Sequence, residues 1–142
     1  MKYLTRLVLA AATMFAFSIS SQADDFSDVR KTIQKYLDGT SQGKLALLSE
    51  AFLPSAEIQW IRPDGTFGRR TSGEYIALFT EGRQVERLGR IVKMEISGTA
   101  ASATVEIFMG SNNRVYTDYM LLLKVGDEWR ISNKVASSRD KY

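Results

Sequence analysis

The stretch from Arg87 to Ser137 does most to limit the fold. It reads as four long strands, at about 87–97, 100–110, 114–125 and 128–137, broken only at Gly98-Thr99, Asn112-Asn113 and Gly126-Asp127. Two-residue turns at these points pair Ile96 with Ala101, Met94 with Ala103 and Val92 with Val105. They also pair Ile107 with Asp118 and Val105 with Met120, then Lys124 with Trp129, Leu122 with Ile131, Met120 with Asn133 and Asp118 with Val135. Side chains alternate along a strand, and directly paired residues share a face. One face therefore collects Val92, Met94, Ile96, Ala101, Ala103, Val105, Ile107, Met120, Leu122, Trp129 and Ile131, apolar enough to be a core. The opposite face of the first two strands carries Lys93, Glu95, Ser102, Thr104 and Glu106 and suits solvent.

What precedes this meander is helical. Phe26, Val29, Ile33, Tyr36 and Leu37 recur at helical spacing, with Gly39 as the expected C-terminal cap. Leu45, Leu48 and Phe52 describe a shorter helix that stops before Pro54. Ala56–Ile61 alternates like a strand and turns back through Pro63-Asp64-Gly65. Thr71 and Glu74 form a capping box that opens a third helix carrying Tyr75, Leu78 and Phe79. Helices followed by a run of strands is an α+β pattern.

The first residues look like a secretory leader. A short basic head (Lys2, Arg6) precedes an apolar run of about thirteen residues, Leu7–Ile19, shorter than the roughly 17–25 that span a bilayer. Ser21 and Ala23 place small residues where a peptidase would cut after Ala23. The expectation is an exported chain, periplasmic or secreted, in which 1–23 is the leader and 24–142 is one domain of 142 − 23 = 119 residues with no membrane segment. Removing Lys2 and Arg6 leaves 17 basic against 16 acidic residues, so the formal charge falls from +3 to +1. Without a basic stripe, nucleic-acid binding is not expected.

The chain has neither cysteine nor histidine. Disulfides, thiol nucleophiles, the Ser-His triad and the usual zinc ligands are thereby removed, and acid–base chemistry would fall to Asp, Glu, Lys or Tyr. Carboxylates do not cluster at ligand spacing, and "GRRTSGEY" lacks the lysine and glycine spacing of a phosphate loop, so neither a metal nor a cofactor is expected.

Asp118 is the one carboxylate on the inner face, with Tyr116, Asn133 and Val135 near it at one end of the sheet. A polar cluster at one end of an apolar concave sheet is where a pocket mouth would lie. The candidate ligand-lining residues are Tyr36, Trp60, Tyr75, Phe79, Tyr116, Asp118 and Asn133. Asp118 admits two roles. As an isolated carboxylate raised by desolvation it could be a proton-transfer base, with Tyr36 or Tyr116 donating to a developing enolate oxygen. Alternatively it is tied up structurally, for example by Lys134 or Arg114, although parity puts Lys134 on the outer face. On the outer face of the third strand, Tyr119, Leu121, Leu123 and Val125 form an apolar stripe, suited to a second copy of the chain or to cover by the tail Ser137–Tyr142.

"YLDGTSQGKLALLSEAF", "SGEYIALF", "RIVKMEISGTAASATVEI" and above all "YTDYMLLLKVGDEWRISNK" resemble the Putative lumazine-binding branch of the nuclear-transport-factor-2-like superfamily, over nearly all of 24–142. The resemblance implies a curved antiparallel sheet wrapped around N-terminal helices into a cone, similar to ketosteroid isomerases and polyketide cyclases, with a pocket at the wide end and often a homodimer through the sheet. The family's His-Pro-Asp-Ala-like stretch reads Leu53-Pro54-Ser55-Ala56 here, so an activity that depends on that histidine does not carry over. Three functions are consistent with these residues: non-catalytic binding of a small, partly apolar ligand, which the reading favours; an isomerase, cyclase or dehydratase using Asp118; and an interaction module acting through the sheet face.

Overall fold

The computed structural model describes the backbone of residues 2–140 and the side chains of residues 22–139; most of the expected leader, Met1–Ser21, and its side-chain packing lie outside the described side chains. The elements in chain order are α1 (Lys2–Gln42), α2 (Leu45–Ala51), β1 (Phe52–Ile61), β2 (Phe67–Thr71), α3 (Ser72–Ile76), β3 (Arg87–Ser97), β4 (Ala100–Met109), a 3-10 turn (Gly110–Asn112), β5 (Arg114–Val125) and β6 (Glu128–Asp140). The six strands form one sheet in the order β2-β1-β6-β5-β4-β3. Every pairing is antiparallel except that of β1 with β6, which is parallel. The helices lie against one face of this curved, unclosed sheet, as the α+β reading predicts.

The second half of α1 supplies the centre of the core. Val29, Ile33, Tyr36 and Leu37 recur on one helical face and are all buried, together with Thr32 and Thr40. Two polar ties hold α1 to the sheet: Thr32 donates to the Trp129 carbonyl (2.8 Å), and Asp25 accepts from Lys124 Nζ (2.7 Å) and from the Trp129 indole N–H (3.0 Å). The helix does not stop at Gly39. Gly39 is buried inside α1, where a Cβ would meet Leu48 Cγ at 2.6 Å, so its role is to let α2 approach. The residue that ends the helix is Gly43, at φ 63°, a left-handed conformation that other residues adopt at a cost.

Phe52 opens β1 rather than closing α2, and Pro54 sits at an irregularity of the β1–β6 pairing between Phe52 and Glu57. The capping box forms as predicted: Thr71 accepts from Glu74 N–H, and Glu74 reaches back to the Thr71 N–H. The α3 helix is only one turn, after which i→i+3 bonds to Tyr75 and Ile76 carry the chain through Leu78 and Phe79.

The expected boundaries of the four meander strands agree with the observed ones to within three residues, and β1 starts four residues earlier than expected, while three details of register differ. First, β3 bulges between Ile91 and Lys93, so Ile91 and not Val92 faces Val105, and Val92 is 54% exposed. Second, the β4–β5 connection uses Gly110–Asn113 as its loop, with Asn113 at φ 52°, so Val105 pairs with Asp118 and Ile107 with Tyr116. A shift of two keeps each residue on its expected face but moves Asp118 along the sheet. Third, β5–β6 keeps the predicted Lys124–Trp129 and Leu122–Ile131 pairs, then shifts at Ser132, so Leu121 faces Asn133 and Asp118 faces Ala136. The Ser132 hydroxyl donates to the Leu121 carbonyl (3.1 Å) at that bulge. The last shift reverses parity and determines the site.

The chain end does not fold back over the sheet. Residues Ser137–Asp140 extend β6 and pair with Arg114–Thr117, so the tail within the described residues leaves the Tyr119, Leu121, Leu123 and Val125 stripe exposed. Among the described residues no helix is long and apolar enough to cross a membrane.

Candidate functional site

At the wide end of the sheet, the parity change in β6 brings Lys134 onto the inner face, where it is 3% exposed and lies diagonally from Asp118 of β5, itself 1% exposed. An unbroken register would have put Asn133 and Val135 there; both instead pair with outer-face residues, Leu121 and Tyr119. Asn133 is therefore not a lining residue, and Lys134 is inside rather than outside.

Four elements converge on one phenol. The Tyr36 hydroxyl, from α1, donates to Asp118 Oδ2 (2.6 Å) and accepts from Lys134 Nζ (3.0 Å) and from Arg87 Nη2 (2.9 Å), the first residue of β3. Lys134 Nζ also donates to Asp118 Oδ2 (3.2 Å). A hydroxyl offers one proton and two lone pairs, so Tyr36 is fully used. The Tyr75 hydroxyl, 3.3 Å from it, is the weaker neighbour. Lys134 Nζ further sits 4.7 Å from the Tyr75 ring centroid and 5.1 Å from that of Tyr36, within cation–π range.

The electrostatics follow from burial. Desolvation first, and then the Asp118 charge, holds the Tyr36 phenol well above its ordinary value, so it stays protonated. Burial works against the Arg87 charge, but the Tyr36, Tyr75 and Asp118 oxygens outweigh it and hold the guanidinium above its usual range. The floor thus carries two cations for one carboxylate. Asp118 is not the isolated acid on an apolar wall that the sequence suggests. It lies at the bottom of the site, not at its mouth, with a phenol and an ammonium on the same oxygen.

Above this floor lies a cavity of about 890 Å³, lined by Trp60, Tyr75, Phe79, Tyr116 and Asp118 among others. Of the sequence candidates these five meet at the cavity, while Tyr36 lies beneath it, fully buried and bonded to Asp118. Phe79 packs edge-on against Tyr75 at 5.3 Å, and Tyr75 against Phe52 at 5.8 Å, which makes one wall continuous with the core. Trp60 on β1 forms the facing wall, with the Arg70 guanidinium 4.7 Å over its ring. Sequence reasoning passed over Lys134, Arg87 and Arg70 as lining residues. The signal for Lys134 was the polar pair Ser132-Asn133, which interrupts the apolar alternation of β6 where a bulge fits. Among the described residues no three carboxylates cluster in a way that could hold a metal ion.

The comparisons agree with this architecture. The family model described as Putative lumazine-binding matches residues 24–137. A nuclear-transport-factor-2-like protein of unknown function from Shewanella baltica OS155 superposes with a TM-score of 0.76 at 21% identity, over 84% of this chain and 97% of that one. A second such protein of unknown function, from Methylobacillus flagellatus KT, gives 0.72 at 25% identity, over 82% and 93%. A type 2 hexachlorocyclohexane dehydrochlorinase shares the fold at a TM-score of 0.61 and 10% identity, over 83% and 87%. No curated protein matches the sequence. Matched over more than three-quarters of its length, the chain belongs to the Putative lumazine-binding family, and its fold is the nuclear-transport-factor-2-like one.

Proposed function

We propose that this protein is an exported domain that binds a small, partly apolar molecule in its cone without transforming it. The observation that carries this reading is the coexistence of an aromatic-walled cavity of about 890 Å³ with a floor whose one carboxylate is already engaged by Tyr36 and Lys134. A pocket of that size and make-up suits a drug-sized ligand. A general base, by contrast, needs an accessible lone pair within reach of the proton it removes. The family description, with its reference to lumazine, points to the same class of small planar ligand. Export rests on the leader-like residues 1–23.

Native mass spectrometry of protein purified from its own cell envelope tests both parts. The expected result is a polypeptide beginning at Asp24 that carries a non-covalent small molecule, released on denaturation. A chain retaining residues 1–23 would remove the export reading. Turnover of a ketone or enone that disappears in a folded Asp118→Asn variant would replace binding by isomerase-type chemistry.

A second reading concerns assembly. With β6 running alongside β5 to Asp140, Tyr119, Leu121, Leu123 and Val125 stay exposed on the outer sheet face, and this supports a homodimer through that face. Sedimentation analysis should show a dimer that Leu121→Asp converts to a folded monomer. A wild-type monomer at about 100 µM, weaker than the micromolar range of specific association, would rule it out.

A further inference from the structure

We infer that the ligand of this cavity is an organic anion, a carboxylate or sulfonate borne on a planar apolar body. The inference deepens the binding role proposed above and rests on it. Three buried or half-buried basic side chains line the cavity, Arg70, Arg87 and Lys134, against the one carboxylate of Asp118. A neutral apolar ligand gives no reason for that imbalance, because bringing cations toward a low-dielectric cavity costs free energy unless an anion meets them. The excess is not confined to the rim. At the floor, Arg87 and Lys134 converge on Tyr36 with only Asp118 to balance them, and the Nε–H of Arg87 is buried with no hydrogen-bond partner. Lys134 has three protons, of which the Tyr36 and Asp118 oxygens take two. An acceptor oxygen arriving at the floor finds the spare Lys134 proton beside a carboxylate whose Oδ2 is already doubly engaged.

The upper wall has matching chemistry. The Arg70 guanidinium carbon lies 4.7 Å over the Trp60 ring, within cation–π range, and its N–H groups suit a planar oxyanion. Trp60, Tyr75 and Phe79 supply flat apolar surface for the body of the same molecule. Arg69, the neighbour of Arg70 on β2, points the other way, is exposed and pairs with Glu57, so it serves as an internal control.

Two fluorescent probes share one body and differ in charge: 1-anilinonaphthalene-8-sulfonate and neutral N-phenyl-1-naphthylamine. Titrated into the full protein, the sulfonate should bind with 1:1 stoichiometry and at least about tenfold more tightly than the neutral probe, the factor one charge-assisted contact supplies. Arg70→Gln should remove most of that preference and leave the neutral probe's affinity within about twofold, whereas Arg69→Gln should change neither. Raising sodium chloride from about 50 mM to about 500 mM should weaken the sulfonate selectively. Equal affinity of the two probes, tighter binding of the neutral one, or a sulfonate preference indifferent to Arg70→Gln overturns the anion inference while leaving a binding cavity. Failure of both probes to bind removes the binding role itself, and the inference with it.

Discussion

Removing Lys134 while keeping Asp118 is the sharpest test of the buried network. Lys134 Nζ lies 3.2 Å from Asp118 Oδ2, and both side chains are almost wholly out of water. At an effective dielectric constant of about 20 their attraction is about 5 kcal/mol, comparable to the several kcal/mol of desolvation that each ion pays. The pair as a whole therefore contributes little net stability, whereas breaking it from one side is expensive. Lys134→Met leaves the carboxylate with the Tyr36 phenol alone, and Asp118→Asn leaves two cations on one phenol oxygen. Each single variant should lose about 3–5 kcal/mol. The double variant, which removes both charges and keeps an amide oxygen for the Tyr36 proton, should lose less than the sum by about 2–3 kcal/mol. Urea unfolding at neutral pH, followed by tryptophan fluorescence, reads this directly. With a denaturant slope of about 1.5 kcal/mol per molar, a loss of 3 kcal/mol moves the midpoint by about 2 M. Single variants within about 0.5 kcal/mol of the parent, with an additive double, would show that water reaches these groups and would refute the closed floor.

Three further outcomes concern Tyr36, Asp25 and Thr71. The Tyr36 phenol is held above its unfolded value of about 10, so the folded state keeps the proton more tightly; its contribution is complete below about pH 10 and declines as pH rises beyond it. The urea midpoint should accordingly fall from about pH 10 upward, and Tyr36→Phe should flatten that limb; an unchanged limb would assign it to other groups. Asp25, whose carboxyl lies below its usual range through its bonds to Lys124 and then Trp129, contributes stability above about pH 4 that is lost as pH falls further. Asp25→Ala should cost about 1–2 kcal/mol and speed amide exchange in α1 near Val29, measured at neutral pH. Thr71→Ala removes the cap of α3 and should cost about 1 kcal/mol by thermal unfolding, with Thr71→Ser close to the parent.

How much of the site was legible varies with the range of the interaction. Strand limits, the Gly98-Thr99 and Gly126-Asp127 turns and the Thr71–Glu74 box depend on neighbours within a few residues, and the structure reproduces each. The aromatic candidates Trp60, Tyr75, Phe79 and Tyr116 also reach the cavity, because large amphipathic side chains at the open end of a cone have few other places to go. The failures at Val92, Asn133 and Lys134 share one cause. Single extra residues at the β3 and β6 bulges reverse the side-chain alternation beyond them, and a period-two pattern carries no record of which strand position absorbs the extra residue.

From sequence alone came the α+β class, the absence of cysteine and histidine chemistry, and a lone inner-face carboxylate at Asp118. All of these are local or compositional properties, which survive whatever the chain does at long range. What only the tertiary structure decided is the company Asp118 keeps. Tyr36, Arg87 and Lys134 come from 82, 31 and 16 positions away by subtraction of residue numbers, and meet because α1 packs into a sheet whose last strand bulges at Ser132. Burial then holds the Tyr36 phenol neutral, and the oxygens around Arg87 hold its guanidinium charged against burial, which turns an expected isolated base into the anchored floor of a cationic pocket.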